Sequence, residues 1–355
     1  MTTGTPGERR LGVDDVSALA AGAGLLGSGG GGDVAVGARL LRHLLQDGAH
    51  TRLVQARNLP ADTLVVHIGL AGAPDVVAER PPGGEDFANA VVALAGALRE
   101  RVGAIGVIEI GGLNALIPLV AAQVLGLPVV DGDLMGRAFP RISQTTLAAA
   151  GHSATPMAVV GAAGDSVIIE SPSIDSADRL MRANVAALGG AAAVALYPCR
   201  ADTLAVHGLP GSVTACLALG QALAAAAGLS VSELAARLGG ELLCEGRVDE
   251  IRPRRGDTPG SITVMDRSAG HIVRVDMLDE YLNAAIDGAS RASAPDVLVV
   301  MDPVTFVPVP PDRLRSGQSI ALLCLRPIQG WPAGSEGHIG LAAFGIDSGR
   351  PGAAP

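Results

Sequence analysis

The chain has 355 residues, of which 48% are hydrophobic and 17% are charged, and every one of its 26 basic residues is an arginine. This balance excludes disorder over most of the length and suffices for two ordinary domains. The missing lysine excludes a Schiff-base lysine, a pyridoxal phosphate anchor and a Walker-type nucleotide loop. Because the net charge is −9, we expect no nucleic-acid partner.

The first half of the chain alternates helical and extended patterns. The predicted elements are helices over 13–24, 33–45, 87–101 and 113–125, and strands over 51–56, 63–70, 104–110 and 128–131. This alternation predicts an α/β domain, layered α/β/α around a mixed or parallel sheet, at residues 11–165. The nearly uncharged stretch 103–130 divides into strand, helix and strand, so we predict no membrane span there.

The second half is richer in short extended runs. A hairpin is predicted at 156–170, helical blocks at 176–188 and 212–238, and strands at 246–251, 261–265, 271–277, 297–300 and 319–325. These runs predict a β-rich, barrel-like domain with attached helices at residues 166–350. Asp279, Glu280 and Asp302 close extended runs and are expected at the surface.

The N-terminal residues and the cysteines indicate the compartment. The first ten residues are polar and show no signal-peptide pattern. The four cysteines share no CxxC spacing and lie in apolar or mixed contexts, which is typical of buried reduced thiols. We therefore expect a cytoplasmic protein.

A run of glycines follows the first predicted helix, from Gly27 to Gly32. The N–H groups of Gly29, Gly30, Gly31 and Gly32 can converge on one anion, and the helix that starts near Asp33 adds its positive end. The spacing is not that of a dinucleotide fingerprint. The run is either an anion site or a flexible turn.

A carboxylate ends the predicted strand 104–110. Glu109 is followed by two glycines and by Asn114, which open the next helix. Ligands bind at the carboxyl ends of strands in open α/β sheets, and a carboxylate buried there has its pKa raised or pairs with an arginine. The alternative is a capping arrangement at the helix N-terminus.

Two carboxylates end the next strand. Asp131 and Asp133 flank a glycine, and Arg137 follows four residues later, where it can pair with them or grip a substrate carboxylate. Paired carboxylates can share acid–base work or, with His152, hold a divalent metal, although no HxH or HExxH spacing supports a metal. The alternative is structural salt bridging. Glu79, in a loop after a strand, is a weaker candidate for the same crevice.

Several phrases resemble one known family. LGSGGGGD, EIGGLNALIP and above all PVVDGDLMGRAFP are similar to those of the S-methyl thiohydantoin desulfurase-like proteins, and the resemblance covers nearly the whole chain. It implies an α/β domain followed by a barrel-like domain, and association with hydantoinase/oxoprolinase-type proteins. The chain departs from the family at Asp279, where the family tends to carry Asn, and at 339–341, so its substrate can differ.

The resemblance implies a hydrolase of a small cyclic amide-like ring, a thiohydantoin or hydantoin relative. Water would attack the ring carbon that bears S-methyl, and methanethiol would leave. In this scheme Asp131 or Asp133 is the base, Glu109 the acid or orienter, the glycine turn the anion cradle and Arg137 the clamp for a carboxylate. No metal is required, although the carboxylates permit one.

Two other functions remain open from the sequence. The chain can be a non-catalytic ligand-binding or accessory subunit of a hydantoinase-like partner protein. A nucleotide-dependent enzyme that uses the glycine turn is disfavoured by the missing lysine. We also expect a homo-oligomer.

Overall fold

The computed structural model describes residues 8–346. The strands are β1 (Glu8–Leu11), β2 (Thr51–Val54), β3 (Leu64–Gly72), β4 (Ala104–Val107), β5 (Val129–Val130), β6 (Gly132–Asp133), β7 (Met157–Gly161), β8 (Ser166–Ile169), β9 (Ala191–Arg200), β10 (Leu209–Pro210), β11 (Gly240–Arg252), β12 (Gly260–Asp266), β13 (Ile272–Met277), β14 (Tyr281–Ile286), β15 (Ala289–Ser293), β16 (Val297–Met301) and β17 (Ser319–Leu325). The α-helices are α1 (Asp15–Leu26), α2 (Val34–Leu44), α3 (Pro74–Glu79), α4 (Gly84–Leu98), α5 (Ile117–Leu125), α6 (Thr146–Ala149), α7 (Ile174–Ala187), α8 (Ala201–His207), α9 (Ser212–Ala224), α10 (Val231–Arg237) and α11 (Glu336–Ile339).

The first sheet has eight strands in the order β1-β2-β5-β4-β3-β9-β7-β8. The four strands β2, β5, β4 and β3 are parallel, and the others are antiparallel to their neighbours. The carboxyl ends of β3, β4 and β5 therefore share one edge, where the predicted site residues follow them. The predicted mixed α/β domain is confirmed.

The second sheet has seven antiparallel strands in the order β15-β14-β13-β12-β11-β17-β16. Register shifts within β11 and β14 mark bulges, which bend strands and let a sheet curl. The sheet encloses its own cluster of buried apolar side chains, among them Ile262, Val275 and Leu322. The predicted β-rich, barrel-like domain is confirmed as this curled half-barrel.

The helices attached to the second half pack back onto the first domain. Helices α1 and α9 cross so closely that a Cβ at Gly22 would overlap the main chain of Cys216, and one at Gly220 would overlap that of Ala18. A capping box opens α10, because Ser230 and Glu233 each bond the other's N–H, as their spacing predicts. Helix α9 lies beside the carboxyl edge of the first sheet, where its Thr214 binds Asp131, just past β5.

The predicted boundary near residue 165 lies inside the first sheet, which also takes β8 and β9 from beyond that residue. The stretch 103–130 forms β4, α5 and β5, as predicted. Across residues 8–346, no helix combines the length and the apolar character needed to cross a membrane.

Candidate functional site

Glu109 lies just past β4 and is buried, with 6% of its surface exposed. Its carboxyl group accepts one hydrogen bond from Asn114 Nδ2 at 2.6 Å and one from the N–H of Phe139 at 3.2 Å. Asn114 also accepts from the N–H of Leu70, at the end of β3, at 2.8 Å. The predicted partners Glu109 and Asn114 thus join two strand ends to the segment that follows β6.

Burial raises the pKa of Glu109 to about 7. The hydrogen bonds from Asn114 and Phe139 and the charge of Arg137 oppose this rise, and the charge of Asp133 adds to it. A carboxyl group with this pKa can gain or lose a proton near neutral pH, which is the requirement for general acid–base catalysis.

Asp133 is almost fully buried and organises the turn that follows it. Its Oδ2 accepts hydrogen bonds from the N–H groups of Ile110 at 3.1 Å, Met135 at 3.1 Å and Gly136 at 2.7 Å. Its Oδ1 is buried and has no hydrogen-bond partner among the described residues. Burial raises the pKa of Asp133 to about 6, and the N–H groups that it binds and the nearby Ser212 hydroxyl oppose this rise. Asp133 is therefore largely ionised at neutral pH.

Arg137 is buried between the two sheets. Its guanidinium donates to three main-chain carbonyls, of Ala138 at 3.0 Å, Asp296 at 2.6 Å and Tyr281 at 2.9 Å, and it lies 5.2 Å from the ring centre of Phe139. Burial lowers its pKa to about 10, which leaves it charged at neutral pH. Because three of its five N–H groups are engaged, only the others are available to the carboxylate clamp predicted from the sequence.

The glycine turn 27–32 packs directly against the turn at Gly111 and Gly112. A Cβ at Gly31 or at Gly112 would overlap the main chain of the other turn, and the N–H of Asn114 donates to the carbonyl of Gly31 at 3.2 Å. A third turn, at residues 132–136, is held next to them by Ala138, which follows it and donates its N–H to the carbonyl of Leu26 at 3.1 Å. The three glycine turns singled out in the sequence therefore lie together.

The glycine turn 27–32 carries main-chain N–H groups that are free among the described residues, and the carboxylate of Asp33 follows it. The N–H groups of Gly29, Gly31 and Gly32 donate no hydrogen bond within residues 8–346. The start of α2 is already capped by Asp33, whose Oδ1 accepts from the N–H of Ala35 at 2.9 Å. An anion bound by this turn would therefore rely on the glycine N–H groups more than on the helix end.

Glu280 is the site residue that the sequence reasoning missed. The expectation of a surface position is wrong for Glu280, which is 3% exposed, although Asp279 beside it is exposed. Its carboxyl group lies against Gly30, where a Cβ would overlap it. Residues 278–280 form the bend between β13 and β14, so Glu280 is outside the alternation of either strand and no local pattern marks it as buried.

Asp131 lies in a different environment from Glu109 and Asp133. Its Oδ1 accepts from the N–H of Thr214 at 3.0 Å, and its Oδ2 accepts from Thr214 Oγ1 at 2.7 Å and Gln55 Nε2 at 2.9 Å. It lines an open cleft of about 570 Å³ together with Arg9 and Arg57. No hydrogen bond among the described residues joins it to Glu109 or Asp133.

Two predicted residues lie apart from the buried carboxyl groups. Glu79 is exposed at the end of α3. His152 is exposed at a second cleft of about 380 Å³, and its ring lies 5.2 Å from that of His207, at an angle of 57°. In the described part of the chain, no three His, Cys, Asp or Glu side chains are grouped to hold a metal ion. The structure does not bring His152 together with the two aspartates.

Comparison with known proteins identifies the family. A solved structure of a protein from Chromobacterium violaceum shares the fold with a TM-score of 0.76 and 22% sequence identity, over 95% of each chain. A search of the curated proteins finds no match. The model of the S-Me-THD-like N-terminal domain matches residues 14–171, and that of the S-Me-THD-like C-terminal domain matches residues 172–350. The chain therefore belongs to the S-Me-THD-like family, as the sequence resemblance predicted.

Proposed function

We propose that the protein is a hydrolase of a small cyclic amide-like ring, of the S-methyl thiohydantoin type or a hydantoin relative. The observation that carries this proposal is the pair Glu109 and Asp133, two buried carboxyl groups at neighbouring strand ends with pKa values of about 7 and about 6. Two interacting carboxyl groups with different pKa values can serve as acid and base at the same pH. Membership of the S-Me-THD-like family supports the choice of ring.

In this reaction Asp133 is the base, because its Oδ1 is the carboxylate oxygen with no partner. It takes a proton from water as the water oxygen bonds to the ring carbon that bears S-methyl. The carbon–sulfur bond then breaks, and Glu109 gives its proton to the departing thiolate, which leaves as methanethiol. The hydroxyl proton moves to the ring nitrogen as the carbonyl forms, and Asp133 passes its proton to Glu109.

The glycine turn and Arg137 supply the remaining interactions. The free N–H groups of Gly31 and Gly32 suit the oxygen of the ring, and the unused N–H groups of Arg137 suit negative charge as it develops. Glu109 and Glu280 are both buried, so a ring can reach them only if covering elements move, and we propose that the glycine turn, which packs against Glu280, is one of these. Turns without side chains accept such movement at low steric cost.

The test is a panel of hydantoins and S-methyl thiohydantoins, with thiol release and ring absorbance followed with and without a chelator. We expect turnover by the wild-type protein and a loss of about 100-fold or more in kcat for Glu109→Gln, since general acid catalysis contributes about that much. The control is Glu100→Gln, which removes an exposed carboxylate paired with Arg200. A chelator-induced loss that added zinc or magnesium restores would assign the reaction to a bound metal.

The other outcomes decide against the proposal. No turnover of any ring at micromolar enzyme concentration contradicts the hydrolase function. Binding of a ring without turnover, together with co-purification of a hydantoinase-like protein, would favour the accessory-subunit function. A Glu109→Gln variant with activity within threefold of the wild type would remove Glu109 from the mechanism.

A further inference from the structure

Glu280 has no role in the scheme above, yet its environment is built around it. Glu280 lies immediately before β14, and its carboxyl group packs against Gly30 of the glycine turn. Its Oε2 is buried and has no hydrogen-bond partner among the described residues. Native proteins rarely leave such an atom unpaired, because an unpaired buried acceptor costs about 1–3 kcal/mol.

The charged groups that act on Glu280 are Arg137, Glu109 and Asp279. No ion pair joins Arg137 to Glu280 among the described residues. Arg137 donates three of its N–H groups to main-chain carbonyls. Two of these carbonyls belong to Tyr281 and Asp296, so Arg137 fixes the segment that carries Glu280 relative to Glu109. The position of the carboxyl group is therefore held from both domains.

We propose that Glu280 is a catalytic residue of the same site, and that it moves the proton at the ring nitrogen. This inference rests on the hydrolase function proposed above. As the water oxygen bonds to the ring carbon, the carbon–nitrogen double bond opens and Glu280 gives its proton to that nitrogen. As the thiolate leaves and the carbonyl forms, Glu280 takes the proton of the new hydroxyl group and returns to its starting state.

The protonation state agrees with this role. Burial, with the charges of Asp279 and Glu109, raises the pKa of Glu280 to about 8, against the opposing charge of Arg137. Glu280 therefore holds a proton at neutral pH, where Asp133 is ionised. The three carboxyl groups divide the work: Asp133 accepts the proton of water, Glu109 protonates sulfur and Glu280 protonates nitrogen.

The test compares Glu280→Gln with Glu250→Gln, which removes an exposed carboxylate from β11 of the same sheet. Glutamine keeps the shape of a protonated glutamate and donates a hydrogen bond, but it cannot transfer a proton. We expect kcat of Glu280→Gln to fall about 100-fold or more, with KM within threefold. In the wild type the alkaline limb of the logarithmic pH–rate profile should steepen to a slope of −2 once Glu109 and Glu280 have both lost their protons, whereas in Glu280→Gln it should keep the slope of −1 that Glu109 alone gives. Glu250→Gln should keep both the rate and the profile.

A second pair of variants keeps the inference testable if Glu280→Gln folds poorly. A methyl group at Gly30 would overlap the Glu280 carboxyl group, and the backbone of Gly30 is not in the left-handed region, so Gly30→Ala should act only by displacing that carboxyl. We expect Gly30→Ala to lower kcat at least 10-fold and to have no further effect in a Glu280→Ala background. Gly24→Ala, whose nearest neighbour is Pro308 Cγ at 3.8 Å, is the control.

The outcomes separate the two proposals. Turnover by Glu280→Gln within threefold of the wild type, with an unchanged pH–rate profile, overturns the role of Glu280 and leaves the hydrolase function standing. Additive effects of Gly30→Ala and Glu280→Ala also overturn it. No turnover by the wild-type protein overturns both proposals.

Discussion

At the scale of single residues, Glu109, Asp133 and Glu280 are carboxyl groups removed from water, and the charge of Arg137 acts on Glu109 and Glu280. Ionising a buried carboxyl group costs free energy because the charge loses its hydration. The attraction of one arginine does not compensate for this loss at three carboxyl groups. Their pKa values therefore rise, to about 7, 6 and 8. The same burial that makes them suitable as acids and bases makes them unfavourable for stability above neutral pH.

Glu109→Gln tests this cost. Below about pH 4.5 Glu109 is protonated in both states, and as the pH rises toward 7 the unfolded chain loses its proton first, so this group's contribution to stability is lost over that interval. We expect the unfolding free energy of Glu109→Gln, relative to wild type, to increase by roughly 1 to 3 kcal/mol between pH 5 and pH 8. Urea titrations across that range measure it.

Glu100→Gln is the matched control for this titration. The side-chain hydrogen bond from Arg200 lowers the pKa of Glu100, so it is ionised in both states above pH 5. Its effect on the unfolding free energy should therefore be the same throughout the range from pH 5 to pH 8. A constant difference for Glu109→Gln as well would contradict the raised pKa.

At the scale of elements, the glycine turns are defined by contact between main chains. Gly112 has a φ of +63° and lies where a Cβ would overlap the main chain of Gly31. Gly126, the C-cap of α5, has a φ of +67° and nothing within 4 Å of the place of a Cβ. The two glycines share a backbone conformation and differ only in their surroundings.

Alanine at these two positions should separate conformational strain from contact. We expect Gly126→Ala to cost about 1 kcal/mol of unfolding free energy, the cost of a left-handed alanine. Gly112→Ala should cost on the order of 3 kcal/mol or more, because the turn 27–32 must move as well. Denaturant titrations measure both, and equal costs would show that the turns are not held together by close packing.

We expect Asp131 to stabilise the start of helix α9 and not to take part in catalysis. Its carboxylate satisfies the N–H and hydroxyl of Thr214 at the first turn of the helix. Asp131→Ala should lower the unfolding free energy by roughly 1 to 2 kcal/mol and leave kcat within threefold. Asp165→Ala, at an exposed hairpin turn, is the control for stability. A 100-fold fall in kcat would instead make Asp131 the base.

Strand β9 shows why part of the fold escapes prediction from the sequence. It is rich in alanine, which favours helices when isolated, and its segment carries no strand prediction. In the structure β9 pairs with β3 on one side and β7 on the other, with helices α4 and α7 packed on the sheet. Small side chains suit such a central strand, so tertiary contacts override the local preference.

At the scale of the whole molecule, the segment 131–139 is clamped between the two domains. Arg137 donates to the carbonyls of Tyr281 in β14 and of Asp296 just before β16, and Trp331 donates from Nε1 to the carbonyl of Met135 at 2.9 Å. Phe139 packs edge-on against Trp331, with ring centres 5.8 Å apart. The geometry of the site therefore depends on the packing of the second domain against the first.

Arg137→Lys tests the clamp in a chain that contains no lysine. A lysine keeps the charge but cannot reproduce the planar set of bonds to three carbonyls. We expect the unfolding free energy to fall by roughly 2 to 4 kcal/mol, since buried main-chain carbonyls lose their hydrogen-bond donors. Arg39→Lys, on the exposed face of α2, should change it by less than about 0.5 kcal/mol. Equal changes in unfolding free energy for Arg137→Lys and Arg39→Lys would contradict the role of Arg137 in holding the segment 131–139 between the domains.

The two-domain class, the family, and the placement of Glu109 and Asp133 at strand ends follow from the amino-acid sequence alone, because periodicity and glycine turns are local properties of the chain. The sequence also excluded lysine chemistry. Only the tertiary structure separated Asp131 from Asp133 and buried Glu280 beside Gly30. These are contacts between residues up to 250 positions apart, and burial, which sets their pKa values, depends on every element packed around them.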